Sequence, residues 1–120
     1  MDAIENLRKF LDDDSNVIFA VIFGSSARKN QRAPGDIDLG IYFRRAPEGM
    51  ELLHFVTVLS GLAGKDVDIA VLNTASAFLK HQVMKYREPL IIKDDLVYRT
   101  FREKTISHYE EYKYISQLHI

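Results

Sequence analysis

The sequence predicts a small α/β (α+β) domain, a mixed β-sheet of three to four strands flanked by helices. The continuous apolar run Val17–Phe23, rich in β-branched residues, reads as a buried strand, and residues 67–72 make another strand with apolar residues on either side of Asp68. Residues 36–43 alternate polar and apolar, the period of a strand with unlike faces. Around these runs, apolar residues recur every three or four positions, the mark of helices with one buried stripe. The chain of 120 residues is long enough for one core and too short for two, so residues 1–120 are read as one domain.

In chain order, Ile4, Leu7, Phe10 and Leu11 give a first helix, which ends in the polar run 12–16. The strand Val17–Phe23 is closed by Gly24. Residues 25–29 form a helical turn, and 30–35, with Pro34-Gly35, a loop. In the strand 36–43, Ile37, Leu39 and Ile41 share one face and Asp36 and Asp38 the other. Pro47 opens a longer helix whose inward stripe is Leu52, Phe55, Val56, Leu59, Leu62 and Ala63, with Gly64 as its cap. After the strand 67–72, Asn73-Thr74 cap a helix to about Tyr86 that turns Phe78, Leu79, Val83 and Tyr86 inward. Residues 89–93 make a short fourth strand. A tyrosine-rich helix runs from Asp94 to near Leu118.

Composition excludes several classes of function. A net charge of −1 provides no broad basic field, so stable binding of long nucleic acid is not expected. With no cysteine there is neither a disulfide nor a thiolate zinc site. No apolar run approaches the ~20 residues that span a bilayer, and the N-terminus lacks the features of a signal peptide. The expectation is a soluble, cytoplasmic protein with no membrane association.

The chemistry concentrates at strand ends. Asp36 and Asp38 project from one side of a strand, and like charges that close repel unless a cation lies between them. Hard divalent cations such as Mg²⁺ take carboxylate oxygens and keep positions open for substrate phosphates. An isolated Asp-x-Asp can equally be a solvated strand edge. Asp68, on a second strand with similar apolar flanks, can meet the pair across adjacent strands. Three such carboxylates suit two Mg²⁺ ions spaced ~3.5–4 Å apart, as in-line displacements at phosphorus use them. Asp36 and Asp38 would ligate both ions, and Asp68 would complete the one that activates the acceptor. Asp66 is a weaker candidate, since it falls at the strand's beginning. Gly24-Ser25 supplies a tight turn whose free N–H groups and hydroxyl can hold phosphate oxygens. Ser26 can add a hydroxyl, and Arg28, Lys29 and Arg32 can neutralise a triphosphate.

Gly24-Ser25, ten further residues, Asp36-x-Asp38 and then an apolar-flanked Asp68 resemble the nucleotidyltransferase superfamily that includes DNA polymerase β. Nearly the whole chain is most similar to the minimal nucleotidyltransferases (MNT), antitoxin partners of HEPN-domain toxins. The segment 66–75, the apolar helix after it, Pro89 to Lys93 and the tyrosine-rich last helix all share in the likeness. The resemblance implies the polymerase β-like fold and Mg²⁺-dependent transfer of AMP from ATP to a tyrosine hydroxyl of a HEPN ribonuclease (AMPylation). It places catalysis and metal binding on Asp36, Asp38 and Asp68, and nucleotide binding on Gly24, Ser25, Ser26 and Arg28. Lys29 departs from the glycine that often follows that arginine in the family.

Size adds that no second domain is left to hold an acceptor, so a partner protein, or a second copy in a homodimer, would hold it. Tyr98, Phe101, Tyr109, Tyr112 and Tyr114 can form that contact or pack on the sheet. Two other readings stay open: an idle antitoxin that neutralises the toxin by complex formation, and a small-molecule nucleotidyltransferase. The chain itself does not complete the HEPN motif Arg-(four to six residues)-His-x-Tyr, because after Arg102 and His108 the tyrosine's place is taken by Glu110. The histidines His54, His81, His108 and His119 have no metal-helix spacing and read as solvated. Arg44-Arg45 reads as a solvated loop that can also touch nucleotide or partner.

Overall fold

The computed structural model describes residues 2–24 and 36–118. The turn expected at 25–29 and the loop at 30–35 fall outside the described residues, and with them Ser25, Ser26 and Arg28. The elements are α1 (Ala3–Asp13), β1 (Val17–Phe23), β2 (Ile37–Phe43), α2 (Gly49–Ala63), β3 (Val67–Val71), α3 (Ala77–Lys85), β4 (Glu88–Ile92) and α4 (Asp95–Leu118). They match the predicted order. The sheet is mixed, in the order β3-β2-β1-β4. β1 runs antiparallel to both β2 and β4, and β2 runs parallel to β3.

Each face of the sheet has its own core. Against one lie α1 and α2, with Leu7, Leu11 and Leu59 packed on Ile37, Leu39 and Ile41. Against the other lie α3 and α4, with Val83, Met84 and Tyr98 packed on Phe19, Val21 and Leu72. β1 serves both. A register irregularity between Val17 and Phe19 lets Val17, Ala20 and Ile22 face α1 and α2 while Phe19 and Val21 face the other way. Phe19 meets Tyr98 edge-on at 5.0 Å between ring centroids and Phe101 at 5.5 Å, geometries that aromatic rings prefer.

Local chemistry sets the helix ends. The Asp2 side chain accepts a hydrogen bond from the Glu5 N–H at 2.8 Å and starts α1. α1 then runs on through Asp12 and Asp13, which the sequence had suggested as its polar end. Gly64 closes α2 in the left-handed conformation at φ 72°, donating its N–H to the Ser60 carbonyl at 2.9 Å.

Four expectations need correction. α2 starts at Gly49 rather than Pro47, and Leu62 on its stripe is exposed while Leu59 and Ala63 are buried. α3 is capped by Ser76, whose hydroxyl accepts from the Leu79 N–H at 3.1 Å, and not by Asn73-Thr74. Asn73 is engaged elsewhere: its side chain accepts from the Phe43 N–H at 3.0 Å and donates to the Phe43 carbonyl at 2.8 Å. Phe78 and Leu79 face outward, and Val83 and Met84 fill the core. In the aromatic stripe the packing alternative holds for part of the set: Tyr98 is buried and Phe101 and Tyr109 are half-buried, whereas Tyr112 and Tyr114 are plainly exposed.

Candidate active site

Register brings the acidic residues to one end of the sheet. In the parallel pairing of β2 with β3, Asp38 lies directly opposite Asp68. Neighbouring strands in register present partnered side chains on the same face, so the two carboxylates rise side by side. Asp36 lies just ahead of β2, two positions before Asp38 and therefore on the same side. The connection there is firm: the Ile37 N–H donates to the Asp66 carbonyl at 2.9 Å. Asp66 thus contributes its backbone to holding the two strands, with its exposed side chain at the start of β3.

This face is the one that α3 and α4 cover farther along. Gly40 lies beneath Val83, and Tyr42 packs on Phe101 at 5.4 Å. Toward the other end of β2 the cover stops: Asp38 is half-buried, and Asp36 and Asp68 are exposed. Gly24 ends β1 at the same place, one residue beyond Phe23, the partner of Asp38. Its φ is +71°, and a Cβ built there would stand 2.7 Å from Asp38 Oδ2. Glycine is required twice over, for the left-handed backbone and for the space that the carboxylate occupies. The sequence marks Gly24 for a tight turn and for close approach of the backbone to a ligand. Its contact with Asp38 depends on strand register, which no local pattern encodes.

The electrostatics follow from that crowding. Partial burial raises the pKa of the Asp38 carboxyl above the ordinary carboxylate range, and the charges of Asp68 and Asp36 raise it further. Asp38 therefore feels both other members of the trio. Among the described residues, however, no three His, Asp or Glu side chains are drawn together as a metal-holding group. The donor chemistry nonetheless fits a hard divalent cation: oxygen ligands only, adjacent on one sheet face, with a central carboxylate that forms no ion pair among the described residues.

Other candidates separate from this end. Arg44 and Arg45 follow the opposite end of β2, where Arg44 Nε donates to the Ser15 carbonyl at 2.9 Å and Asn16 brackets the Arg45 backbone. They tie β2 to the turn before β1. His54 and His108 are exposed as expected, and His119 lies outside the described residues. His81 is a correction: it stacks on Tyr109 at 3.7 Å, and its Nδ1 is buried with no hydrogen-bond partner. No described helix is long and apolar enough to cross a membrane.

Comparison with known proteins agrees with this fold. The family model described as "Polymerase beta, Nucleotidyltransferase" matches residues 5–96. A protein of Methanocaldococcus jannaschii called "Putative protein adenylyltransferase MJ0435" is 32% identical over 65 residues, which is 54% of this chain and 70% of that protein. A toxin–antitoxin crystal structure with AMP-PNP superposes with a TM-score of 0.85 at 24% identity, covering 96% of this chain and 93% of the other. A complex of a tri-AMPylated Shewanella oneidensis HEPN toxin with an MNT antitoxin gives a TM-score of 0.78 at 22% identity, covering 97% and 93%.

Proposed function

This chain belongs to the polymerase β nucleotidyltransferase family, and we propose that it transfers AMP from ATP to a tyrosine hydroxyl of a HEPN toxin, acting as its antitoxin. The observation that carries the reading is the register pairing of Asp38 with Asp68 beside Gly24, with Asp36 on the same side. The adenylyltransferase relative supports a protein as the acceptor, and the toxin–antitoxin neighbours support a HEPN partner.

Asp36, Asp38 and Asp68 would hold Mg²⁺, which, when bound, neutralises charge on the reacting phosphate and on both oxygens in line with it. Gly24 lets the backbone approach the phosphates closely, and Ser25, Ser26 and Arg28 are assigned to their oxygens. The acceptor oxygen bonds to the α-phosphorus of ATP, the bond from that phosphorus to the bridging oxygen breaks, and pyrophosphate leaves. Asp68, whose side chain is exposed, would take the acceptor's proton. The contribution of the remaining residues is positioning and electrostatic stabilisation.

The test uses ATP labelled at the α-phosphate with a purified HEPN protein as acceptor. Asp36→Asn and Asp38→Asn are expected to abolish transfer of label while remaining folded. Full labelling by either variant would end the enzymatic reading. A second reading rests on one observation, that the described carboxylates are not drawn into a metal-holding group. On that reading the chain silences its toxin by contact alone: the parent transfers no label, and the same variants still suppress toxicity.

A further inference from the structure

Between α3 and α4 lies a groove of about 220 Å³ lined by His81, Met84, Lys85, Arg87, Arg102, Thr105 and Ile106, and Arg87 directly precedes Glu88, the β4 residue that pairs with Ile22 near the acidic end of the sheet. Its lining carries three cationic side chains and no carboxylate, in a chain whose net charge is −1. None of the three forms an ion pair among the described residues. The two described ion pairs are Arg8 with Glu5 and Arg99 with Asp95. Lys85 Nζ lies 5.2 Å from the Tyr86 ring centroid and the Arg87 guanidinium 5.9 Å from that of Tyr98, and an anion between these cations and Arg102 would relieve their mutual repulsion.

The groove is also shaped in advance. Arg87 is half-buried: its Nε donates to the Tyr98 hydroxyl and its Nη1 to the Met84 carbonyl at 2.7 Å. Those bonds fix the guanidinium plane and leave N–H groups for a further acceptor. Arg102 is half-buried on α4, and Thr105, one helical turn on, is buried and can add a hydroxyl. The stacked pair His81 and Tyr109 stiffens the neighbouring wall. The sequence did not reveal this set, because Lys85 at the end of α3, Arg87 just beyond it and Arg102 on α4 are united only by the packing of the two helices.

We propose that this groove is a binding site for a small phosphate-type oxyanion, inorganic phosphate or pyrophosphate, with a lining that shares no residue with the transfer site. A guanidinium fork with a second cation opposite matches tetrahedral oxyanions. The space is below the ~300 Å³ at which drug-sized ligand pockets begin, so it suits one or two phosphate groups rather than a whole nucleotide.

The experiment is calorimetric titration of the full chain with sodium pyrophosphate and, separately, sodium phosphate, in EDTA and at fixed ionic strength. Saturable one-site binding is expected. Arg102→Gln and Lys85→Gln should each weaken it about tenfold or more, the weight of one charge-assisted hydrogen bond. Asp38→Asn should leave it unchanged, and thermal melting without anion identifies any variant that has failed to fold. Comparable affinity for both anions assigns the groove to one phosphate group, and tighter pyrophosphate binding assigns it to two. Absence of saturable binding, equal binding by both folded cation variants, loss of binding in Asp38→Asn, or binding of an oligonucleotide but of neither small anion would each overturn the assignment.

Discussion

The Asp38 carboxylate is partly removed from water and faces Asp68 and Asp36, so its ionisation costs the folded chain free energy that a neutral side chain would not. Its folded pKa lies above that of an unfolded chain, which means that the folded state holds the proton more tightly. The penalty is therefore absent below the unfolded value, develops as pH rises through the folded one, and is fully present at neutrality. Asp38→Asn is expected to melt at a higher temperature than the parent at pH 7 in EDTA, with the difference closing as pH falls through the carboxylate range. Transfer should fall by about 10²-fold or more, since loss of a mere supporting partner of a metal ligand already costs up to that much. Melting curves across pH decide the first point; a variant that melts lower than the parent at neutrality would show that the charge is not the burden. The gain in stability and the loss of activity in one substitution would mark Asp38 as a residue kept for chemistry.

Packing between elements explains what the sequence could and could not show. Periodicity located β1 to the residue and placed the other strands within a residue at either end, because buried strands are short, apolar and bounded by polar turns. It misplaced the start of α3 because Asn73 is a good cap by type but is held by the Phe43 backbone, a contact thirty residues away. The acid pair on β2 was legible as alternation, whereas its alignment with Asp68 and the room made by Gly24 arise from register. Gly40 is a similar case. It reads as a weak point in a strand, yet a Cβ there would stand 2.6 Å from Val83 Cγ1, so its lack of a side chain lets α3 lie close to β2. Gly40→Ala should destabilise the fold by about 1–3 kcal/mol through overpacking. Combining it with Val83→Ala should cost less than the two single changes summed, measured by denaturant unfolding. Strict additivity would show that the helix does not bear on that glycine.

The molecule as a whole is elongated, 49 × 32 × 28 Å, with α4 running on beyond the layers it packs against. Tyr98 and Thr105 anchor the first half of α4, whereas residues 110–118 are exposed throughout. Tyr112, Tyr114, Ile115 and Leu118 lie on this second half, and their exposed fractions run from 47% to 64%, more apolar surface than an isolated helix end needs for its own stability. A helix that projects without burying its apolar side chains is held by its continuity with the packed half. Its conservation of shape matters to the domain far less than to whatever it touches. Under the antitoxin reading, the HEPN partner is the occupant, with aromatic side chains as the contact. Ending the chain after Glu110 removes no buried described side chain, so the stability should change by no more than about 0.5 kcal/mol. The same truncation should abolish co-purification with the HEPN protein and, with it, transfer of label to that acceptor. A truncated chain that melts well below the parent would assign the segment to the fold, and one that still retains its partner would move the contact to another face.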